Sequence, residues 1–266
     1  IKCKTIMNRV FRSLSLFAVL AVYVTNCAEA QTKFSIHIGG SLPFGKYADY
    51  SLSPSSTPDG NDIIAWNVKT DKAGASMGLN LGAKLRFNIP SIKGLGIITT
   101  ADFFFNPSNK KIQDSFEDYL VVLYAQNSAN DYNFSTPKYF NIPILLGLNY
   151  EQSLGTKVKV YGECGAGINI GMISSLEMNF YKQDFTFVSD FEYENQYSFA
   201  FQVGAGVLLS NQLRLGVHYY NLGSQRVKGL FKYTATWNGG GESERTNFVF
   251  DRINPNMITL RLGYHF

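Results

Sequence analysis

Apolar and polar residues alternate one by one along much of the chain, and this two-residue period predicts β-strands. The clearest stretch runs from Met77 to Ile89, where every odd position is apolar and every even position is Gly, Asn, Lys or Arg. A tilted strand of about ten residues crosses a bilayer. This stretch is therefore long enough to span a membrane, with one apolar face and one polar face.

Eight such stretches follow one another after residue 30. They cover residues 33–44, 74–89, 95–106, 138–151, 157–171, 196–209, 213–223 and 255–266. Three connections are short turns, at 90–94, 152–156 and 210–212, whereas those at 45–73, 107–137, 172–195 and 224–254 each contain 24 to 31 residues. This alternation is typical of outer-membrane barrels, and four long loops count against a compact soluble sandwich. The sequence predicts an all-β fold, an eight-stranded antiparallel up-and-down transmembrane β-barrel with short periplasmic turns and long extracellular loops.

Aromatic residues lie at both predicted ends of the outward faces, with aliphatic residues between them. Those at the periplasmic ends are Phe34, Phe87, Tyr150, Tyr264 and Phe266, and those at the outer ends are Phe44, Phe103, Phe105, Phe140, Tyr197, Phe199 and Tyr219. Aromatic rings prefer the membrane–water interface, so two girdles are expected. The alternative is a sandwich with aromatic residues at the ends of its core.

Composition agrees with a membrane barrel and excludes two other classes. Charged residues make up 17% of the chain, against roughly 25% in an average soluble domain. The mean hydropathy of -0.07 excludes a bundle of transmembrane helices. Residues 1–30 hold four of the 24 basic and one of the 20 acidic residues, which leaves 20 and 19 in the remainder. That balance offers no basic excess for a nucleic acid.

The first thirty residues have the features of a secretory signal peptide. The apolar run 14–24 follows four basic residues, namely Lys2, Lys4, Arg9 and Arg12. An Ala-Glu-Ala site ends the segment, so we expect residues 1–30 to be cleaved after Ala30 and residues 31–266 to form the barrel domain, with Met7 as an alternative start. The mature chain keeps one cysteine, Cys164, and no internal disulfide is expected.

The last predicted strand carries the most specific motif. Its apolar face consists of Ile258, Leu260, Leu262, Tyr264 and Phe266. A terminal Phe preceded by apolar residues at every second position resembles the C-terminal assembly signal of outer-membrane barrels. The resemblance implies that the barrel-assembly machinery reads this strand, and we expect no peptidoglycan-binding domain after it.

Two further segments resemble one family. The segment 139–148, Tyr-Phe-Asn-Ile-Pro-Ile-Leu-Leu-Gly-Leu, and the opening Gly-Gly-Ser-Leu-Pro-Phe-Gly at 39–45 are similar to strands of the porin-like outer-membrane β-barrel domain family, which includes PorT-like and OmpA/OmpX-type barrels. Pro143 removes one donor from the ladder, so we expect a bulge or a local distortion there.

The predicted interior is polar and carries excess positive charge. The inward residues are Ser35, His37, Asn80, Lys84, Arg86, Asp102, Lys159, Tyr161, Glu163, Asn169, Gln202, Arg214, His218, Tyr220 and Arg261. Charges in so narrow a lumen need partners or water. We expect a polar network of Lys84, Arg86, Asp102, Lys159, Glu163, Arg214 and Arg261, with Asp102 close to Asn80 or Gly82 and within diagonal reach of Lys84. The network is interpreted as a structural plug or as a narrow, anion-preferring passage.

No catalytic, cofactor or metal site is predicted. Some eight-stranded barrels modify lipid A through a His/Ser site, which needs a base beside a nucleophile. His218 points inward and lies six residues from Ser224, so we interpret it as a filler of the lumen. Cys164 is expected to face lipid as a small apolar residue.

The third and fourth long loops have opposite charge. The third loop holds five acids, Glu177, Asp184, Asp190, Glu192 and Glu194, against Lys182, and the fourth holds five basic residues, Arg226, Lys228, Lys232, Arg245 and Arg252, against three acids. We expect the two loops to pair electrostatically or to be separately solvated. Glycines at 239–241 predict a hairpin above the membrane. The acids are also Ca²⁺ candidates, although their spacing matches no known loop.

These features predict a monomer in the bacterial outer membrane without enzymatic activity. Its expected function is to display surface loops for recognition, adhesion or envelope stability. The expected partners are outer-membrane lipid and lipopolysaccharide, the barrel-assembly machinery and an unknown surface ligand, and no nucleic acid. A narrow small-solute channel is the alternative, followed by a lipid-modifying enzyme.

Overall fold

Strands dominate the computed structural model, which describes residues 32–49, 54–55, 65–66, 73–110, 131–182, 185–237 and 239–266. In chain order they are β1 (Thr32–Pro43), β2 (Pro54–Ser55), β3 (Ala65–Trp66), β4 (Gly78–Asn88), β5 (Leu95–Pro107), β6 (Asp131–Phe134), β7 (Lys138–Ser153), β8 (Val158–Ile173), β9 (Leu176–Lys182), β10 (Phe185–Tyr193), β11 (Gln196–Leu209), β12 (Leu213–Asn221), β13 (Gln225–Trp237), β14 (Gly240–Ile253) and β15 (Asn256–His265). Within these ranges no helix is long and apolar enough to cross a membrane. The predicted signal peptide, 1–30, and its cleavage site after Ala30 lie outside the described residues.

Eight strands close into an antiparallel barrel in the order β1, β4, β5, β7, β8, β11, β12, β15 and back to β1. Each strand pairs with the next barrel strand along the chain, and β15 returns to β1 with Ser35 opposite His265. In a closed barrel the backbone N–H and C=O groups of every strand find hydrogen-bond partners on the neighbouring strands. Lipid offers no alternative partners, so a membrane-spanning sheet has to close in this way. The predicted up-and-down barrel is confirmed, and the predicted strand bounds agree within four residues.

The outer surface of the barrel is apolar and its interior is polar. The outward residues Ile38, Leu146 and Leu260 are 56%, 63% and 67% exposed. Inward residues of the same strands, such as His37 and Arg261, are buried. A continuous exposed apolar belt around a closed barrel is typical of a membrane-spanning barrel, in which lipid covers the belt.

Two aromatic girdles border the apolar belt, as predicted. At the end with the short turns, the Phe266 ring lies 5.8 Å from Phe34 and 5.1 Å from Tyr264. At the opposite end, the Phe140 ring lies 6.0 Å from Phe103 and 5.4 Å from Phe105. These two levels mark where the barrel surface meets the two membrane interfaces.

Pro143 interrupts one ladder without changing its register. On β8 the pairing is continuous, with Pro143 opposite Asn169. On β5 the pairs stop at Ala101 with Ile144 and resume at Phe104 with Asn141 in the same register. The expected distortion is therefore a local loss of pairing and not a bulge, because proline lacks the donor.

The barrel wall continues on one side into a second sheet, which we call the extension sheet. It consists of five strands in the order β6, β9, β10, β13, β14. Each of them joins a barrel strand through two or three residues, in the pairs β6 with β7, β9 with β8, β10 with β11, β13 with β12 and β14 with β15. The order of the extension sheet therefore repeats the order of the barrel strands beneath it.

The extension sheet shows that the prediction of long loops is correct at one hairpin and wrong at another connection. The hairpin at 239–241 is confirmed as the turn between β13 and β14, with Trp237 opposite Gly240. The third long connection is not the expected loop, because it forms the hairpin β9–β10, with Phe187 opposite Phe180. Alternating apolar residues in that segment, including Leu176, Met178 and Phe191, carry a strand signal of their own.

Candidate functional site

The centre of the lumen is an ion-pair cluster on Glu163 of β8. Lys84 Nζ donates to Glu163 Oε1 at 2.6 Å and Oε2 at 2.7 Å. Arg214 Nη2 donates to Oε2 at 2.5 Å, and His218 Nε2 lies 2.9 Å from Oε1. The Arg214 guanidinium also lies 3.4 Å from the centroid of the Tyr161 ring, a cation–π contact. One buried carboxylate thus joins side chains of β4, β8 and β12.

A second cluster surrounds Asp102 of β5. His37 Nε2 lies 2.5 Å from Asp102 Oδ1, and the Tyr220 hydroxyl donates to Oδ2 at 2.9 Å. Arg261 Nη2 lies 3.2 Å from Oδ1, and its guanidinium is 4.7 Å from the centroid of the Tyr220 ring. Asp102 therefore binds groups of β1, β12 and β15.

The predicted contact between Asp102 and Lys84 is wrong. Asp102 lies opposite Gly82, and Gly82 lies opposite His37 on its other side. Because Gly82 has no side chain, His37 reaches Asp102 across it. Lys84 is instead long enough to cross the narrow lumen to Glu163.

A third cluster closes the end with the short turns. Arg86 Nε donates to Asn149 Oδ1 at 2.8 Å and lies 3.6 Å from Glu151 Oε1. Arg86 Nη2 also donates to the Gly94 carbonyl at 2.8 Å. Glu151 is absent from the predicted inward residues, which include none of β7. The predicted strand 138–151 ends on it, and its odd position places it on the buried side of β7. Lys159 is half-buried, so of the predicted network it is the residue that the lumen does not bury.

The buried charges nearly balance. Across the described lumen they comprise four cations, Lys84, Arg86, Arg214 and Arg261, and three carboxylates, Asp102, Glu151 and Glu163. All of these residues are less than a tenth exposed. A buried charge is tolerated when it is paired and hydrogen-bonded. The arrangement fits a filled, cross-linked interior with a small positive excess.

Amide groups and an apolar roof lie above the ion pairs. Asn141 Oδ1 accepts hydrogen bonds from Asn169 Nδ2 and Gln225 Nε2, both at 2.9 Å. Above them, buried apolar residues form a continuous cluster that includes Tyr47, Ala73, Phe104, Tyr139, Leu222, Val227, Ile253 and Met257. Tyr47 comes from the 3₁₀ turn after β1 and is fully buried. The Tyr139 hydroxyl donates to the Ala73 carbonyl, so the connection between β1 and β4 is tied into the roof.

The residues considered for catalysis do not come together. His218 is buried beside Glu163, whereas Ser224 is exposed between β12 and β13. A Cβ at Gly204, opposite His218, would overlap the imidazole, so the ring is fitted against the barrel wall. Cys164 is exposed on the lipid-facing side. Within the described ranges no three His, Cys, Asp or Glu side chains are arranged to hold a metal ion.

The C-terminal motif faces outward as predicted. Its members, Ile258, Leu260, Leu262, Tyr264 and Phe266, are between 41% and 69% exposed. The backbone N–H of Phe266 donates to the Phe34 carbonyl at 2.9 Å, so the motif extends to the seam that closes the barrel. Recognition of this strand by the assembly machinery stays a prediction.

The extension sheet has one aromatic face and one charged face. On the aromatic face, Phe191 and Phe231 rings lie 4.4 Å apart, and Phe187 stacks on Tyr233 at 5.7 Å. At its base, burial raises the pKa of the Tyr193 phenol. On the charged face, cross-strand ion pairs join Lys228 to Glu194 at 2.8 Å and Lys232 to Glu192 at 2.7 Å. The expected electrostatic pairing of the third and fourth connections is confirmed by these two bridges.

Comparison with solved structures finds outer-membrane proteins at low similarity. A major outer membrane protein from Thermus thermophilus is 13% identical, with a TM-score of 0.45 over 89% of this chain and 100% of that one. The outer membrane protein OprG from Pseudomonas aeruginosa is 12% identical, with a TM-score of 0.40 over 89% and 96%. Ail, the attachment invasion locus protein of Yersinia pestis, is 14% identical, with a TM-score of 0.33 over 89% and 100%.

No protein-family model and no curated protein matches the chain. The resemblance to PorT-like barrels therefore stays a prediction. The strand pairing of the chain itself defines the fold as a closed eight-stranded barrel.

Proposed function

We propose that the protein is a non-enzymatic barrel of the bacterial outer membrane, and that its extension sheet recognises or adheres to a partner outside the cell. The observation that carries the proposal is the position of this sheet. It lies at the end of the barrel away from the short turns, and in outer-membrane barrels that end faces the exterior. The lumen beneath it is filled by ion pairs, amides and the apolar roof, which leaves the external sheet as the accessible part.

The extension sheet offers edges that a partner can pair with. Its outermost strands are β6 and β14, so one long side of β14 is unpaired within the described residues. Exposed sheet edges bind extended peptides through backbone hydrogen bonds. Residues 241–247 of β14 are exposed, which keeps this edge open to a partner.

Contacts on both faces of the extension sheet hold its strands together, and such preorganisation lowers the cost of binding. Its strands continue the barrel strands, and the aromatic contact of Phe191 with Phe231 bridges β10 and β13. The ion pairs of Lys228 and Lys232 brace the same two strands on the opposite face. Binding then requires little ordering of the protein.

Shortening the β13–β14 hairpin tests the proposal. Deleting residues 230–247 and joining Gly229 to Phe248 through Asn-Gly removes the outer edge, because these two residues are already opposite each other. Bacteria producing the full or the shortened barrel at equal surface levels are compared for retention on epithelial cells, on matrix glycans and on each other. Retention should fall with the shortened hairpin. Equal retention on all three surfaces contradicts the proposal.

A charge-exchange variant serves as the matched control. Lys232→Glu combined with Glu192→Lys keeps the bridge between β10 and β13 while reversing its direction. If the backbone edge of β14 does the binding, this variant should retain the bacteria as well as the full barrel does.

A narrow anion passage is the second candidate function. The observation in its favour is a small cavity in the lumen, lined by Lys84, Arg214 and Arg261 together with Ser35 and His37. The excess of buried cations over carboxylates would select anions. Conductance separates this candidate from the first.

A further inference from the structure

We propose that Arg226 and Arg252 together bind the phosphate of an anionic glycolipid in the outer leaflet. The inference rests on the proposed outer-membrane location and does not depend on the recognition function of the extension sheet. The evidence comes from the pairing of the two residues, from the surface below them and from the cations above them.

The two arginines face each other across β13 and β14 on the outside of the molecule. They are direct register partners, and both are exposed. Their neighbours Gln225, Val227 and Ile253 are buried, so alternation places both guanidinium groups on the outward face. Side chains directly opposite each other have Cβ atoms about 5 Å apart, and like charges in that arrangement are unfavourable. An anion between the two groups would remove the repulsion.

No described side chain neutralises this pair, in contrast with Lys228 and Lys232 above it. Lys228 and Lys232 each have a glutamate partner, at 2.8 Å and 2.7 Å. Neither Arg226 nor Arg252 has an ion pair or hydrogen bond with the described side chains. A register shift between Arg226 and Lys228 separates the two groups of cations. Among the described side chains, the arginine pair nearest the membrane thus has no counter-ion.

Below the arginine pair, the outer surface of the barrel passes from apolar to polar in the same order as a glycolipid passes from its acyl chains to its headgroup. Ile258 and Leu260 belong to the apolar belt. Next comes the Tyr219 ring, whose hydroxyl donates to Asn256 Oδ1 at 3.0 Å, and Asn221 Nδ2 donates to the same oxygen at 2.9 Å. The apolar belt matches the acyl chains, and the Tyr219 ring matches the membrane interface. The amides of Asn221 and Asn256 match the hydroxyl or amide groups of a sugar headgroup.

Arg252 continues this series upward along the same strands. It lies four residues before Asn256 in the chain, and four extended residues span at most roughly 13 Å. The stems of both arginine side chains are long enough for their guanidinium groups to turn toward the membrane interface, where lipid phosphates lie. Guanidinium groups bind phosphate in a bidentate manner that lysine cannot reproduce. Continuity with the apolar belt favours a lipid phosphate over a free anion.

Native mass spectrometry of the folded full-length protein in detergent tests the site. The probes are lipid A with both phosphates, the same lipid with both phosphates removed, and inorganic phosphate alone. The test variant combines Arg226→Gln with Arg252→Gln. The control combines Lys93→Gln with Lys157→Gln, which removes the same charge from exposed residues in turns at the opposite end of the barrel.

We expect the arginine variant to bind phosphorylated lipid A at least about tenfold more weakly, because charge-assisted hydrogen bonds are lost. The control variant and the dephosphorylated lipid should show no such change. Unchanged affinity in the arginine variant overturns the proposal, as does an equal loss with the dephosphorylated lipid. Arginine-dependent binding of inorganic phosphate as tight as that of the lipid would identify a free-anion site instead, which also overturns it.

A separate measurement distinguishes failure of the membrane location. Each variant is checked for heat-modifiable migration after insertion into lipid vesicles. A wild-type protein that does not insert contradicts both the membrane location and the lipid site. Insertion together with unaltered lipid binding by the arginine variant contradicts the lipid site alone and leaves the adhesion experiment on the shortened hairpin unaffected.

Discussion

His37 Nε2 lies 2.5 Å from Asp102 Oδ1, and the contact passes over Gly82. The three residues are neighbours across β1, β4 and β5, with Gly82 paired to both of the others. A Cβ at Gly82 would overlap both the carboxylate and the imidazole. The glycine thus determines which partner Asp102 can reach, and Arg261 and Tyr220 complete its coordination from the opposite wall.

Gly82→Ala is therefore expected to destabilise the barrel. The added methyl group must displace the His37–Asp102 pair, which costs about 1–3 kcal/mol through overpacking and lost hydrogen bonding. The free energy of unfolding is measured in urea, with heat-modifiable migration reporting the folded fraction. Gly40→Ala is the matched control, because a Cβ at Gly40 meets nothing within 4 Å. Equal stability of the two variants would show that the pair adapts freely.

Removing the charge of Glu163 at the centre of the lumen is expected to destabilise the barrel more than Gly82→Ala does. Glu163→Gln leaves Lys84 and Arg214 buried beside a neutral amide, and breaking such a buried pair costs on the order of 3–5 kcal/mol in a dry site and less where water enters. Lys84→Met in the Glu163→Gln background should restore part of that loss. The measurement is a double-mutant cycle of unfolding free energies.

The same cycle distinguishes the observed pairing from the one predicted from sequence. Asp102→Asn should also destabilise, but Lys84→Met should give no recovery in that background because Lys84 binds Glu163. Arg261→Met, by contrast, should recover stability with Asp102→Asn. Recovery of Asp102→Asn by Lys84→Met would support the diagonal contact that the structure does not contain.

The side chains that face the lumen could be predicted from the sequence, because alternation along a strand does not depend on which strands lie beside it. Lys84, Asp102 and Glu163 are buried as predicted. Their partners could not be predicted in the same way, since contacts across a lumen depend on the stagger of strands around the whole barrel. Lys84 and Glu163 lie on β4 and β8, which are three strand positions apart.

The extension sheet shows a second reason why part of the structure could not be predicted from the sequence. The glycines after Trp237 are a local turn signal, so the hairpin there is predictable. The strands β9 and β10 are interrupted by acids, and from sequence alone they are interpreted as an acidic loop. Their pairing depends on the barrel strands that hold β8 and β11 side by side, which is long-range information.

Deleting Phe266 is expected to reduce the amount of protein in the outer membrane. The ring completes the girdle with Phe34 and Tyr264, and its backbone N–H extends the β15–β1 seam. His265→Ala is the comparison, because His265 is buried in the lumen and lies off the outward motif. Outer-membrane levels are measured by fractionation and immunoblotting. A greater loss with His265→Ala than with the Phe266 deletion contradicts the assigned role of the terminal aromatic.

The wild-type barrel is expected to show no large, steady conductance in planar bilayers. Eight strands enclose a space that side chains can fill. Here the Glu163 and Asp102 clusters cross-link the middle of the lumen, and Tyr47 and Phe104 close the outer end. Ions would have to displace paired charges, which a static interior of this kind opposes. Recordings with inserted protein are compared with bilayers that received detergent alone. Reproducible nanosiemens openings that depend on the protein would contradict the filled lumen, and an anion preference of those openings would then favour the passage lined by Lys84, Arg214 and Arg261 as the function.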